Sequence, residues 1–226
     1  MQNKNEKVKV NIGDRISDFV QRNRKAIAVL FGLLIVLFIG LIAYLIISDN
    51  LNKKAIAEVE ELVSRYENLD LFSTDDYFTE DTEELLVDLE TFANSKKGYP
   101  GSKAWFVIGQ IYSGREDWVK AEESWSTSAR VGEKTYLGPI SLFNAASAAQ
   151  EQGKYEQAII YLKESVEHKF EFPSAPHAQF SIGRLYEQLG NSSEAIEAYR
   201  LVLSKWPDIT VWNNLARSRI ISIESN

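Results

Sequence analysis

His168 and His177 are the residues best suited by type to general acid–base work or metal ligation. They stand nine positions apart, and no carboxylate pair lies at ligand spacing beside both. The chain has no cysteine, which removes disulfides, thiol nucleophiles, cysteine-rich zinc sites and a lipid-modified N-terminal cysteine. There is no glycine loop of the kind that cradles phosphate and no Gly-x-Ser-x-Gly elbow to expose a nucleophilic serine. Acid pairs such as Glu83-Glu84 are neighbours on a stretch that reads as an exposed helix, where solvation is the default. Asn191-Ser192-Ser193 fits a glycosylation acceptor, which matters only in a eukaryotic secretory route. The expectation is a chain that is not an enzyme and has no catalytic residue, metal or cofactor.

With catalysis set aside, charge narrows the partners. The 226 residues carry a formal −7, but residues 1–25 hold seven Lys/Arg against three Asp/Glu, a net +4, which leaves −11 on the remainder. A body of that sign repels phosphate backbones, so nucleic acid is not an expected partner. The length suits one ordinary domain plus an anchor.

The anchor is explicit. Ala26 to Ile47 is 22 residues without a charge (AIAVLFGLLIVLFIGLIAYLII), and at about 1.5 Å per residue such a helix crosses a hydrocarbon layer of about 30 Å. The apolar run exceeds that of a cleavable signal peptide, and Ser48-Asp49-Asn50-Leu51 offers no small-x-small cleavage site, so it reads as a signal anchor. Lys4, Lys7, Lys9, Arg15, Arg22, Arg24 and Lys25 precede it, whereas Lys53 and Lys54 follow with Asp49 offsetting them. That bias predicts a cytoplasmic N-terminus and places residues 48–226 on the far side, the periplasm in a bacterium.

Beyond the anchor, three segments repeat with a period of 37. Ala121, Ala158 and Ala195 are in register, as are Phe106, Phe143 and Phe180. Each segment reads as two amphipathic helices joined by a polar turn, such as SLFNAASAAQ, EQGKY and EQAIIYLKESVE. In the third, Gly190 ends one helix, and Asn191 or Ser192 is placed to cap the next with Glu194 in its first turn.

These segments resemble the tetratricopeptide repeat, whose pattern sets an aromatic, Leu-Gly and Tyr on the first helix, Ala and an aromatic on the second, and Pro beyond. The third segment matches through Ile182-Gly183, Tyr186, Ala195, Tyr199 and Pro207; the first through Trp105, Ile108-Gly109, Tyr112, Ala121 and Trp125. The middle one departs, with Ala145-Ala146 for Leu-Gly and Ala149 for Tyr, but keeps Gly153, Tyr155, Ala158 and Leu162. Three extra residues per repeat are expected in the connections around Gly132–Pro139 and Phe170–Pro176.

The resemblance implies an all-α solenoid whose first helices line a concave groove. It puts Phe106, Phe143 and Phe180 in that groove, with core packing as the competing reading, and adds Gln110, Asn144, Ser147, Gln150, Arg184 and Glu187. That set lacks the Lys/Arg cluster that would capture a terminal carboxylate.

The expected organisation is a basic tail (1–25), an anchor (26–47), a degenerate helical pair with an acidic loop (48–101), three repeats (102–207) and a terminal helix (208–226). In the pair, Asn52–Leu69 continues from the membrane helix, and Leu85, Leu86, Leu89 and Phe92 have helical spacing. Between them DLFSTDDYFTED reads as a solvated loop. Asp208 is placed to cap the last helix, which would pack through Trp212, Leu215 and Ile220.

The layout also resembles bacterial inner-membrane tetratricopeptide proteins that serve as ancillary Sec translocon subunits in periplasmic chaperone networks, through the run DFVQRNRKAIAV entering a lone span ahead of a repeat domain. The resemblance implies translocon subunits and exported polypeptides as partners. The alternatives are a scaffold for envelope-assembly or division subunits and an organelle import receptor.

Overall fold

A computed structural model describes residues 12–69 and 74–225. Lys4, Lys7 and Lys9 of the basic tail, and residues 70–73 of the acidic segment, lie outside the described residues. Among the described residues there are nine α-helices, one 3₁₀ helix and no strand. The chain divides into two units, Met1–Lys53 and Lys54–Asn226.

The first helix, α1 (Ile12–Glu67), is long and apolar enough to cross a membrane. Its apolar run is exposed on every face, with Phe31 64%, Leu37 68% and Tyr44 67% accessible, so no protein core covers it.

In the second unit, Ala55, Val59, Leu62 and Val63 at the end of α1 share a core with Leu85, Leu86, Leu89 and Phe92 of α2 (Glu80–Ser95). The described part of the acidic segment between them, residues 74–81, is solvent-facing at Asp75, Phe78, Thr79 and Glu80 and is held at Tyr77 by Arg115. It forms a 3₁₀ helix (Thr74–Phe78), and Thr79 caps α2 by accepting from the Thr82 amide. Arg115 donates from Nε to the Tyr77 carbonyl at 2.8 Å and pairs with Glu83 at 2.8 Å, while its guanidinium lies over the Phe78 ring. An almost buried arginine thus neutralises part of an acidic stretch that has no cation of its own.

Three helical pairs follow: α3 (Gly98–Gly114) with α4 (Trp118–Val131), α5 (Leu137–Glu151) with α6 (Tyr155–Glu167), and α7 (Ala175–Gln188) with α8 (Ser192–Lys205). Within pairs the turns span 115–117, 152–154 and 189–191, and the left-handed position recurs 37 residues apart at Glu116 (φ 56°), Gly153 (71°) and Gly190 (77°). The connections between pairs are longer, 132–136 and 168–174, which is where the extra residues were expected.

Small residues set the helix spacing. A Cβ on Gly109 would meet the Trp125 ring at 2.6 Å, and one on Gly183 would meet the Tyr199 ring at 2.5 Å. In the middle repeat Ala146 replaces the glycine and Leu162 replaces the ring, so volume is exchanged across one contact. Ala121, Ala158 and Ala195 are fully buried where the helices cross. Buried serines in this core are satisfied: Ser102 and Ser128 each donate to the other's carbonyl at 2.9 and 2.8 Å, and Ser165 donates to the Pro139 carbonyl at 2.9 Å.

α3 packs on α5 and α7 on α9 (Thr210–Glu224), and α5 meets α7 through the Phe143 and His177 rings, while among the described residues no comparable packing joins α4 to α6 or α6 to α8. The first helices therefore form the inner layer of the curve. α9 buries Asn213 and Ala216 and packs Trp212 and Ile220 onto Phe180, Tyr199 and Val202. Two expectations for it are corrected. The residue preceding it is Ile209, with no side-chain cap from Asp208, and Leu215 points outward, 43% exposed, because Ala216 takes the inward position.

Candidate functional site

Each inner helix leaves one stripe incompletely buried. On α3 it holds Lys103, Phe106, Gln110 and Ser113; on α5 Ile140, Phe143, Ser147 and Gln150; on α7 His177, Arg184 and Glu187. These positions are 37 apart from helix to helix, so one face of the solenoid repeats one pattern. Asn144 is half-buried and lies further round α5.

The three phenylalanines do not share one environment. Phe106 and Phe143 are half-buried, their edges packed against the cores behind them. Phe180 is 7% exposed, closed in by Tyr199 (5.1 Å between ring centres) and Trp212 (5.5 Å), and so belongs to the core. Phe143 also meets Phe172 at 6.0 Å and His177 at 5.2 Å, and His177 stacks flat on Trp212 at 4.5 Å. Burial lowers the His177 pKa, and the Arg184 charge adds to that.

Polar residues of the stripe differ in freedom. Gln150 donates to the Ala146 carbonyl and Ser147 to the Phe143 carbonyl, both within their own helix. Glu187 accepts from the Tyr199 hydroxyl and from Arg219, which with Phe180, Arg184 and Gln188 border an open hollow of about 400 Å³. The Arg219 hydrogen bond and then the Tyr199 hydroxyl hold the Glu187 carboxyl below the usual carboxylate range.

Sequence reasoning did not single out Tyr99, Tyr136 or Ile140, and it named His177 only for its chemistry and Trp212 only as packing of the last helix. Tyr99 and Tyr136 stand 5.8 Å apart between ring centres, and the Tyr99 hydroxyl donates to Glu60 at 2.7 Å. The signal was present, because 99 and 136, and 103, 140 and 177, repeat in the same register as the phenylalanines. His168 stacks on Phe170 and packs against Gly138, so the two histidines do not form one centre. Among the described residues no group of three or more His, Cys, Asp or Glu could hold a metal ion.

A stack of paired helices with glycine or alanine at each crossing points to one known repeat. Residues 143–208 match the tetratricopeptide repeat family. The chain is 33% identical over 141 residues to a tetratricopeptide repeat-containing protein of Treponema pallidum (strain Nichols); the alignment covers 62% of this chain and 58% of that protein. This chain thus matches a little over half of the relative's length. Among solved structures, a crystal structure of nearly identical tetratricopeptide-like repeats of a Podosopora anserina kinesin light chain superposes with a TM-score of 0.54 at 15% identity, covering 74% of this chain and 86% of that one. A second crystal structure of those repeats gives 0.49 at 15% identity over 74% of this chain and 96% of that one. The fold is an all-helical tetratricopeptide-type solenoid following a helix able to span a membrane. Tetratricopeptide repeats imply a protein-interaction module.

Proposed function

We propose that this chain is a membrane-anchored polypeptide holder, an ancillary factor of the Sec translocon and the periplasmic chaperone network of a bacterial inner membrane. The single observation that carries the reading is the stripe on α3 and α5. Phe106 and Phe143, at one register, and Ile140 one turn away are left half-open, flanked by Lys103, Gln110, Ser147 and Gln150. Apolar side chains among polar groups that include a single charge, Lys103, suit a chain that has not yet buried its own apolar residues. Arg15, Arg22, Arg24 and Lys25 ahead of the apolar run support a cytoplasmic N-terminus, with the repeats in the periplasm.

A photo-crosslinking amino acid at Phe143 in intact cells tests the proposal. It should capture translocon subunits and a spread of exported chains. Recovery of one stable folded partner would instead make the protein a scaffold of an envelope or division complex, and recovery of neither would remove the holder role.

A further inference from the structure

Resting on the groove reading above, we propose that the occupant is a proline-rich segment in the polyproline II conformation, with an apolar residue at every third position. Spacing is the first reason. α3 and α5 pack directly, and packed helices lie about 8–10 Å apart, so Phe106 and Phe143, one repeat apart in sequence, recur at about that interval. A polyproline II chain has three residues per turn and a rise of 3.1 Å, and so presents the same face every ~9.3 Å. A β-strand returns a side chain to one face every ~6.6–6.8 Å and falls out of step within one repeat. An α-helix has a turn of about 5.4 Å and a diameter of about 10–12 Å, which fits the interval less well.

The second reason is the balance of donors and acceptors. Over α3 and α5 the stripe holds Phe106, Gln110, Ile140, Phe143, Ser147 and Gln150, with no carboxylate, in a chain whose residues after the first 25 carry −11. Nearby carboxylates are engaged: Glu60 accepts from Tyr99, and Glu187 from Tyr199 and Arg219. Lys103 adds a further donor on α3. Proline has no N–H, so a proline-rich chain offers carbonyl acceptors and asks for few acceptors in return. Gln110, the second amide proton of Gln150 and the Lys103 ammonium can donate to those carbonyls, whereas the Ser147 proton goes to the Phe143 carbonyl, and no carboxylate on the stripe competes for these donors.

The third reason is the tyrosine pair. Tyr136 is 52% exposed and its ring is tilted 37° to that of Tyr99, with the Tyr136 hydroxyl donating to the Tyr99 hydroxyl at 3.5 Å and Tyr99 in turn to Glu60. The rings are thereby held in place with open faces, and aromatic-lined grooves are the recurrent receptor for polyproline II because the ligand arrives already ordered.

The test uses the full chain in lipid nanodiscs and labelled peptides read by fluorescence anisotropy. Four Leu-Pro-Pro triplets are compared with a peptide of the same composition that has leucine at alternate positions, with four Leu-Ser-Ser triplets and with four helix-forming Leu-Ala-Ala triplets. The Leu-Pro-Pro peptide should bind roughly tenfold more tightly than each of the others, a free-energy difference of about 1.4 kcal/mol. Phe143→Ser and Tyr136→Ser should each reduce that affinity while leaving the helical circular-dichroism signal unchanged. Equal binding of the two proline peptides, or tighter binding of the helical one, overturns the polyproline assignment. If no peptide binds but the Phe143 crosslinker still captures exported chains, this inference falls and the holder function stands. Loss of both results removes both.

Discussion

At Gly183 the backbone of α7 approaches the Tyr199 ring so closely that a methyl group has no room. Gly183→Ala should therefore cost about 1–3 kcal/mol in urea unfolding, the usual penalty for overpacking. Tyr199→Leu imitates the alanine–leucine pairing of Ala146 and Leu162 in the middle repeat, so the double variant should lose less than the sum of the single losses; strict additivity would refute the volume exchange. Two titrating groups on this face set an acid dependence. His177 has its pKa lowered by burial and by Arg184, so the fold prefers the neutral ring, and its contribution is complete above about 6.5 and declines as pH falls below that value. Glu187 has its pKa lowered by Arg219 and Tyr199, so its contribution is complete above the unfolded value near 4.5 and is lost as pH falls through the folded one. His177→Gln should flatten part of the stability decline between pH 7 and 5 and leave the steeper loss at lower pH in place, as read from urea midpoints across that range. An unchanged profile would count against the His177 assignment.

Among the elements, the segment from Thr74 to Glu83 depends on one side chain from another helix. Arg115 holds the Tyr77 carbonyl and Glu83 and covers the Phe78 ring, and its side chain is 9% exposed. Arg115→Met keeps much of the apolar stem but removes both polar contacts. Limited proteolysis should then cleave within 74–79 several times faster, with α3 to α9 still resistant; equal rates would mean that the segment is held by Tyr77 packing alone. The sequence marked this segment as acidic and turn-rich, which is accurate, but its docking needs an arginine 32 residues beyond Glu83, and no local pattern reports that.

For the solenoid as a whole, stability is a sum over neighbouring repeats, and the end repeats bear the exposed faces. α9 supplies Trp212, Ala216 and Ile220 to a core with Phe180, Tyr199 and Val202. Removing the chain after Pro207 would expose those three side chains, each contributing about 1.5–3 kcal/mol when buried. The thermal midpoint should fall by about 10 °C or more, with increased aggregation. A midpoint unchanged by the truncation would mean that the third repeat closes itself. The Glu187–Arg219 pair belongs to the same joint, since it ties α7 to α9 across the exposed edge of that core.

Period and composition were enough to establish the helical pairs, their turns, the in-register alanines and glycines and the apolar span, because each depends on neighbours within one or two turns of a helix. Local spacing likewise placed Leu85, Leu86, Leu89 and Phe92 on one buried face. The state of the phenylalanines was not legible in this way. Phe106, Phe143 and Phe180 are equivalent in the repeat, yet Phe180 is sealed by Trp212 from a helix 32 residues further on while Phe106 and Phe143 keep an open edge. The physical reason is that burial belongs to a side chain and everything packed around it. A periodic sequence specifies the same stem at every turn, but what covers it comes from elements brought alongside by folding.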